Sequence, residues 1–296
     1  MSNLFKSDDD VRAFAAALGT QHIGKQLGYQ LRVGSTNKLA LEAGAMGTAH
    51  GTVFIAEEQS AGRGRRGRSW LAPGGLALLF SVLVRPAKLP GLREEDIGWI
   101  PLVAGLASVE AISHSCALDI ALKWPNDIVV PSSQPPGWRK LGGILCESTL
   151  VATMITGSTG DDACAGSYVV IGIGLNVNQS REDLPPPPAV PTSVLVETGS
   201  VTDRRTLLST VLGKLEQRLL ELSDSRARHT LKSSIEARLR RWWTPQRSLR
   251  VRIPTEAGSE TLSAQFLGLD DFGRLRLRLP DTQELALADA EVLAVE

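Results

Sequence analysis

One apolar stretch has to be hidden wherever this chain folds: Gly74 to Val84, GGLALLFSVLV, closed by Arg85. It falls well short of the roughly 18 to 20 residues needed to cross a bilayer. It therefore reads as an apolar strand, over 76–84, and no membrane span is expected. With 43% hydrophobic and 22% charged residues in a chain of 296, the composition is that of a globular protein and excludes disorder, collagen and coiled coil. A chain this long can bury roughly three quarters of the surface its unfolded form exposes, so it holds a large core without covalent staples.

Around that strand the pattern is one of hairpins with interspersed helices. Ser7 is placed to cap a helix that runs to about Leu18 and stops at Gly19. Residues 29–33 read as a strand, Gly34-Ser35-Thr36-Asn37 as a turn, and the Ala/Leu-rich segment to about Gly44 as a helix. Further strands are expected at 52–57, at 121–130 with a break at Pro125-Asn126-Asp127, at 140–155 and at 167–177, with a helix over 97–115. A Pro-rich excursion occupies 131–139, and 156–166 reads as a long hairpin tip. This order predicts an α+β domain, a mixed sheet with flanking helices, rather than a βαβ repeat. After the stiff connector 184–191 come two amphipathic helices, marked by Leu208, Val211, Leu212, Leu215 and Leu219, then by Leu231, Ile235, Leu239 and Trp242, ending at Pro245. Beyond Ser248 the period changes to two, with Leu249, Val251 and Ile253, then Leu275, Leu277 and Leu279, alternating with arginines. A small β-barrel or sandwich follows from this, and two domains, 1–246 and 247–296.

The N-terminal residues lack the basic-then-apolar order of a secretory signal, which makes the cytoplasm the expected compartment. Cys116, Cys146 and Cys164 are odd in number and without CxxC or Cys/His spacing, which argues against disulfides and a zinc site. Lys plus Arg total 32 against 32 Asp plus Glu. Without net charge there is no global pull toward nucleic acid or anionic lipid, so anion binding must come from a local patch.

Such a patch is GRGRRGRSW, 62–70, where Arg63, Arg65, Arg66 and Arg68 alternate with glycines. Guanidinium forks bind phosphate or carboxylate bidentately, and glycine lets backbone N–H groups approach an anion. Four like charges repel, so the loop is expected to be mobile when empty and ordered by its ligand. It is no P-loop, because no Gly-Lys-Ser/Thr follows. Composition alone leaves open a solvated basic loop or an RNA-binding Arg/Gly segment. In Lys123-Trp124-Pro125-Asn126-Asp127 an amide and a carboxylate stand together at a strand break; the same residues also suit a plain turn. Lys140 opens an apolar strand, as a rim lysine would. Gly172 and Gly174 supply two glycines of a dinucleotide fingerprint with no helix pattern behind them, which suits a flat group packed on the backbone or a bulge. Ser35 and Thr36 read either as helix caps or as polar ligands. His22, His50, His114 and His229 form no HExxH, and no GxSxG is present, so metalloprotease and serine hydrolase chemistry has no support.

Taken in order, GSTN at 34–37, EEQSAGRGRRGRSW at 57–70, KWPNDI at 123–128, KLGGIL at 140–145 and GIGLNVN at 172–178 resemble the catalytic domain of biotin protein ligases. The Leu/Arg β tail resembles that family's C-terminal domain, and the likeness spans about 25–296. It implies a class II synthetase-like catalytic fold (the biotin/lipoate ligase fold) followed by an SH3-like β-barrel. The implied reaction has two steps. Biotin and ATP with Mg2+ give biotinyl-5′-adenylate and pyrophosphate, and the acyl group then passes to one lysine of the biotin carboxyl carrier protein or domain of an acyl-CoA or pyruvate carboxylase.

The resemblance places Ser35, Thr36, Asn37, Gln59, Arg63, Gly64, Arg65, Lys140 and Gly143 around biotin. Around ATP and the adenylate it places Arg65, Arg66, Arg68, Trp70, Asn126, Lys140, Gly172, Gly174 and Asn176, with Asn176 at the adenine and Trp70 closing over the ligand. Lys140, Arg65 and Asp127 are the implied catalytic residues, with Mg2+ riding on the ATP phosphates and Asp127 a candidate contact. A lipoate or octanoate ligase shares this fold and chemistry; the arginine loop, KWPND and the β tail favour biotin. Only about 28 residues precede the first catalytic strand, so a monofunctional enzyme is expected, with no nucleic-acid or membrane partner and with room for a homodimer. The insertions 131–139 and 156–166 have no assigned role.

Overall fold

The structure is a computed structural model that describes residues 3–149, 166–185, 190–239, 248–255 and 258–295. The expected hairpin tip, Cys164, the Trp242–Pro245 helix end and the boundary at 246 lie outside the described residues.

Seven strands form the first sheet: β1 (Leu27–Val33), β2 (Val53–Gln59), β3 (Ala77–Val84), β4 (Ala121–Lys123), β5 (Asp127–Pro131), β6 (Trp138–Thr149) and β7 (Tyr168–Asn176). Their spatial order is β1-β2-β3-β7-β6-β5-β4. β1 and β2 run parallel and every other pair antiparallel, so the sheet is mixed, as expected. The apolar stretch is the central strand β3, buried at every residue. A strand with neighbours on both edges and cover on both faces has no solvated side, hence its continuous rather than alternating hydrophobicity.

One face of this sheet carries helix α2 (Thr36–Ala45), whose Ala40 packs with Leu83, Tyr168 and Val170. The helix lies so close that a Cβ at Gly44 would meet the Tyr168 ring at 2.5 to 2.9 Å. The opposite face holds the main core, built on α3 (Ile100–Cys116), α5 (Arg204–Ser223) and α6 (Arg228–Leu239). α3 and the 3-10 turn before it, Glu94–Trp99, form a stretch long and apolar enough to cross a membrane, but 67% of it is buried inside the fold. It is the core helix. At the N-terminus α1 (Asp8–Ala17) is capped by Ser7, whose Oγ accepts from the Asp10 amide at 3.2 Å. A further short helix, α4 (Val194–Thr198), carries no apolar periodicity long enough to be read from sequence.

The C-terminal sheet is antiparallel, with β8 (Ser248–Thr255), β9 (Gly258–Leu269), β10 (Leu275–Arg278), β11 (Glu284–Leu287) and β12 (Glu291–Val295) in the order β11-β10-β9-β8-β12. Leu249, Val251, Leu275 and Leu277 are fully buried, and Arg276 and Arg278 on the outer face both bind Glu284 at 2.9 Å. Two indoles tie this sheet to the first unit. Trp99 Nε1 donates to Asp271 O at 2.8 Å and Trp124 Nε1 to Gly273 O at 3.2 Å.

A buried charge anchors the sheet edge. Glu57 of β2, 4% exposed, accepts from the Leu4 amide and the Tyr29 hydroxyl on one oxygen and from Arg204 Nη1 at 2.8 Å on the other. Glu57 thus joins the N-terminal segment, β1 and α5 through one carboxylate. Removing one partner of a buried ion pair leaves the other charge unpaired, at a cost of about 3 kcal/mol or more. Glu57→Ala is expected to lower the unfolding free energy by about that amount in a urea titration with an unchanged m-value.

Candidate active site

The cavity lies on the α2 side of the sheet, over the ladder where β3, β7 and β6 pair. Ser81 stands opposite Gly172, and Gly143 opposite Gly174. Both glycines of β7 have an identifiable occupant. A Cβ at Gly172 would overlap the Asn37 amide oxygen, and one at Gly174 would come 2.8 Å from Trp70 Cε2. The flat group packed on the glycine backbone is thus, in this structure, the indole of Trp70, with its Nε1 buried and unbonded.

At one end of the cavity a polar cluster forms where β1 turns into α2. Ser35 is the N-cap residue, yet its side chain makes no capping bond, and the residue lines the cavity. Gln59 Oε1, at the end of β2, accepts from the Thr36 amide at 2.8 Å and lies 3.1 Å from Thr36 Oγ1. Asn37 has every polar atom engaged: Nδ2 donates to Leu145 O at 3.1 Å and to Glu147 Oε2 at 2.8 Å, and Oδ1 accepts from Ser81 Oγ at 2.6 Å. It is a strut, and in this structure it offers no free hydrogen-bonding group to a ligand.

At the other end lie the cations. Strands β4 and β5 are the two halves of the broken strand expected at 121–130, joined by Trp124-Pro125-Asn126. This places Asp127 between two lysines, 2.5 Å from Lys140 Nζ and 3.3 Å from Lys123 Nζ. Burial alone would raise the Asp127 carboxyl, but the Lys140 and Lys123 ammoniums outweigh it and bring it down to about 2. Lys123 is itself buried, 4.6 Å from the Trp138 ring centroid, and loss of solvent lowers its pKa against the pull of Asp127. Lys140 is more open, with 34% of its side chain exposed, and its Nζ lies 5.6 Å from the centroid of the Trp70 ring. Asn126 Nδ2 donates to Ile144 O at 2.6 Å while its Oδ1 accepts from Arg65 Nη1 at 3.4 Å.

The arginine loop closes the cavity. It is a small ordered structure: Gly64 N donates to Arg68 O at 2.7 Å, Arg65–Gly67 make one 3-10 turn, and Arg66 takes the left-handed conformation at φ 55°. The expected mutual repulsion is relieved from an unforeseen direction. Arg65 and Arg66 bind Asp289, Arg68 binds Glu291 at 2.5 Å, and Arg63 lies 3.6 Å from Glu147. Asp289 and Glu291 belong to the C-terminal sheet and the turn leading into β12, and Glu291 together with Ala290 walls the cavity.

Of the residues named from sequence, Ser35, Thr36, Asn37, Gln59, Arg63, Gly64, Arg65, Arg66, Arg68, Trp70, Asn126, Asp127, Lys140, Gly143, Gly172 and Gly174 all line this one cavity. Asn176 does not. It is buried, its Nδ2 donates to Thr192 O at 3.0 Å and its Oδ1 accepts from Gln179, so in this structure it braces the chain after β7 and does not line this cavity. Lys123 was given no role from sequence, and Ser81, Glu147 and Glu291 were not named. Lys123 opens a quoted motif and Glu147 lies just beyond one, whereas Ser81 is hidden in an apolar run and Glu291 in a distant domain. Burial pushes the Cys146 thiol up to about 12.

Comparison with known proteins places this geometry. Residues 29–161 match the sequence profile of the biotin/lipoate A/B protein ligase family. The chain is 33% identical over 257 residues to the biotin–acetyl-CoA-carboxylase ligase of Mycobacterium tuberculosis, covering 86% of this chain and 83% of that one. It is 32% identical over 267 residues to the ligase of the same name from Paracoccus denitrificans, covering 88% and 97%. Among solved structures it resembles the biotin protein ligase of Aquifex aeolicus in complex with biotin and ATP, with a TM-score of 0.68 at 25% identity over 91% of this chain and 99% of that one. The chain belongs to the biotin/lipoate protein ligase family. Within it, the chain is a biotin ligase, an ATP-dependent enzyme of the biotin–acetyl-CoA-carboxylase ligase type.

Two outcomes follow from the charge arrangement. Replacing Asp289 by Asn and Glu291 by Gln together removes the loop's counter-charges, so backbone amides over 62–70 are expected to exchange at least about tenfold faster in the unliganded protein. Asp127 has a folded-state pKa below its ordinary 3.8, so its ionised form stabilises the fold above about pH 4 and that contribution is lost as pH falls toward 2. The stability difference between wild type and Asp127→Asn is therefore expected to be flat from pH 7 to 5 and to shrink below pH 4 in thermal melts.

Proposed function

We propose that this cavity binds biotin at the Ser35–Thr36–Gln59 end and MgATP across Lys140, the arginine loop and the glycine-backed strands β6 and β7. The carboxylate of biotin attacks the α-phosphorus, a P–O bond forms, the α–β phosphoanhydride breaks and pyrophosphate leaves. The amine of a carrier-domain lysine then attacks the acyl carbon of biotinyl-5′-adenylate, the C–O bond to phosphate breaks, AMP leaves and the amine loses a proton.

The observation that carries this reading is the juxtaposition, in one cavity, of an uncharged polar cluster and a cluster of fixed cations that includes Lys140. Two anions must meet for adenylation, and the transition state spreads charge over phosphoryl oxygens; cations already in place stabilise it without reorganising. Asp127 aims Lys140. Arg65, Arg66 and Arg68 are suited to the phosphates, exchanging Asp289 and Glu291 for them. Trp70, at the end of the arginine loop, is suited to cover the adenylate and shield its mixed anhydride from water.

For magnesium the donor set is informative. Among the described residues no three His, Cys, Asp or Glu side chains gather as a cage, and Asp127 is held by two ammoniums. A cation carried in by the ATP phosphates fits this site better than one lodged on Asp127.

The polar end supports biotin over an octanoyl or lipoyl chain, whose tails have no group to pair with Ser35, Thr36 and Gln59. The loop arginines have carboxylate partners, which supports a catalytic loop over an RNA-binding one. With these substrates goes a carrier protein or domain of a biotin-dependent carboxylase as partner, no nucleic-acid or membrane partner, and a cytoplasmic location.

Pyrophosphate release with MgATP is expected to require biotin and to fail with lipoate, octanoate or no acid; release with lipoate or octanoate alone would move the enzyme to the sister branch. Lys140→Ala is expected to lower the rate by about 10²-fold or more, read in the same assay with protein confirmed folded by circular dichroism.

A further inference from the structure

Lys140 stands where β6 has lost its neighbour. The last pair between β6 and β7 joins Gly142 to Leu175, and β7 ends one residue later, at Asn176. Beyond that point a short stretch outside the strands described above takes the place of β7. Lys140 N donates to Val190 O at 2.7 Å, and Thr192 N donates to Lys140 O at 2.8 Å. The main-chain donor and acceptor of Lys140 are both directed to residues 190–192, and on its other side it faces Val129 of β5 beside a shift in register. Where Lys140 sits thus follows from where 190–192 sits.

Asn176 Nδ2 holds that stretch at Thr192 O, 3.0 Å away, and Glu197 of α4 holds it by a side chain. Thr192, fully buried, donates through Oγ1 to Glu197 Oε1, and Arg139 grips the same carboxylate with two bonds, Nε to Oε1 and Nη2 to Oε2, each 2.8 Å. Arg139 directly precedes Lys140. Successive residues of a strand point to opposite faces, so Arg139 reaches Glu197 while Lys140 reaches Asp127 on the cavity side. The bonds close a ring that runs from the Lys140 main chain to Thr192, on to Glu197, across to Arg139 and back through one peptide link. Burial would raise the Glu197 carboxyl, but the bonds from Arg139 and Thr192 outweigh it and hold it below its ordinary range. Arg139, Thr192 and Glu197 all lie outside the lining of the cavity.

We propose that Glu197 is a positioning residue for adenylation: by clamping Thr192 and Arg139 it fixes the main chain of Lys140, and with it the reach of Nζ toward the phosphoryl oxygens. This rests on the reading of Lys140 as the cation of the adenylation site. A charge that acts by already being in place loses much of its effect when it is displaced by a fraction of an ångström, because its benefit is greatest in the transition state. Binding of the substrates is spread over many other contacts and changes little.

The test is a double-mutant cycle on the full-length enzyme, read as biotin-dependent pyrophosphate release. Glu197→Ala is expected to lower kcat about tenfold with KM for biotin and for ATP within about twofold. In a Lys140→Ala background the same change should cost no more than about twofold, since a group that acts through Lys140 then has nothing left to place. Thr192→Val, which keeps the volume and loses the hydroxyl, should lower kcat about threefold, and Thr192→Ser, which keeps the bond to Glu197, should retain the wild-type value. That pair, run in the same two backgrounds, supplies the readout if Glu197→Ala does not fold. An equal loss of kcat with and without the Lys140 side chain, a rise in KM at unchanged kcat, or wild-type rates in both Glu197→Ala and Thr192→Val would overturn the role of Glu197 alone. A Lys140→Ala enzyme that works at the wild-type rate would overturn the placing of Lys140, and the inference with it.

Discussion

The cavity depends on a ladder of backbone hydrogen bonds between β3, β7 and β6, and on the side chains missing from it. Where Gly172 and Gly174 interrupt an otherwise branched and aliphatic strand, the sheet is one atom layer thick on the α2 side. Into the first gap fits the Asn37 amide, into the second the Trp70 indole. The helix that carries Asn37 and the loop that carries Trp70 are thereby seated against the same strand, two residues apart. A methyl group at either glycine would displace one of them, and no compensating shift of a sheet flanked on both edges is available.

Asp127 plays a comparable part at the cationic end. A lone carboxylate between two ammoniums keeps them from repelling each other and leaves the pair with one surplus positive charge, aimed at the cavity. The arrangement exists because β4 and β5 form a hairpin whose turn places Lys123 and Asp127 in register. Lys123, sealed against Trp138, has little to offer a substrate directly; its effect is on where Asp127, and through it Lys140, can sit.

Much of this was legible in the residues. The mixed sheet, the buried central strand, the Ser7 cap and the alternating Leu/Arg tail all follow from periodicity and capping chemistry, because those patterns act locally. The ordered motifs converge on one cavity because each sits at a strand end or turn that faces the same side of the sheet. What escaped depends on contacts between distant residues. The burial of Asn37 and Asn176 as braces could not be read from their motifs, since an amide looks the same whether it meets a ligand or a backbone carbonyl. Nor could the carboxylates opposite the arginine loop, which lie more than two hundred residues further along the chain, in a turn with no distinguishing composition. Ser81 was concealed by its surroundings: inside an apolar run, a lone serine reads as filler.

The pairing of the arginine loop with Asp289 and Glu291 also bears on how substrates arrive. A naked cluster of four guanidiniums would project a strong positive field into solvent and draw polyanions of every kind, RNA and free nucleotides alike. With Glu147 and two carboxylates of the neighbouring domain set against its four guanidiniums, the loop keeps one net positive charge in place of four, so most of its attraction builds only once a ligand is close enough to exchange partners. Diffusional steering of the nucleotide is weakened accordingly, and the enzyme gives up some speed of encounter for less pull on the anions that crowd it.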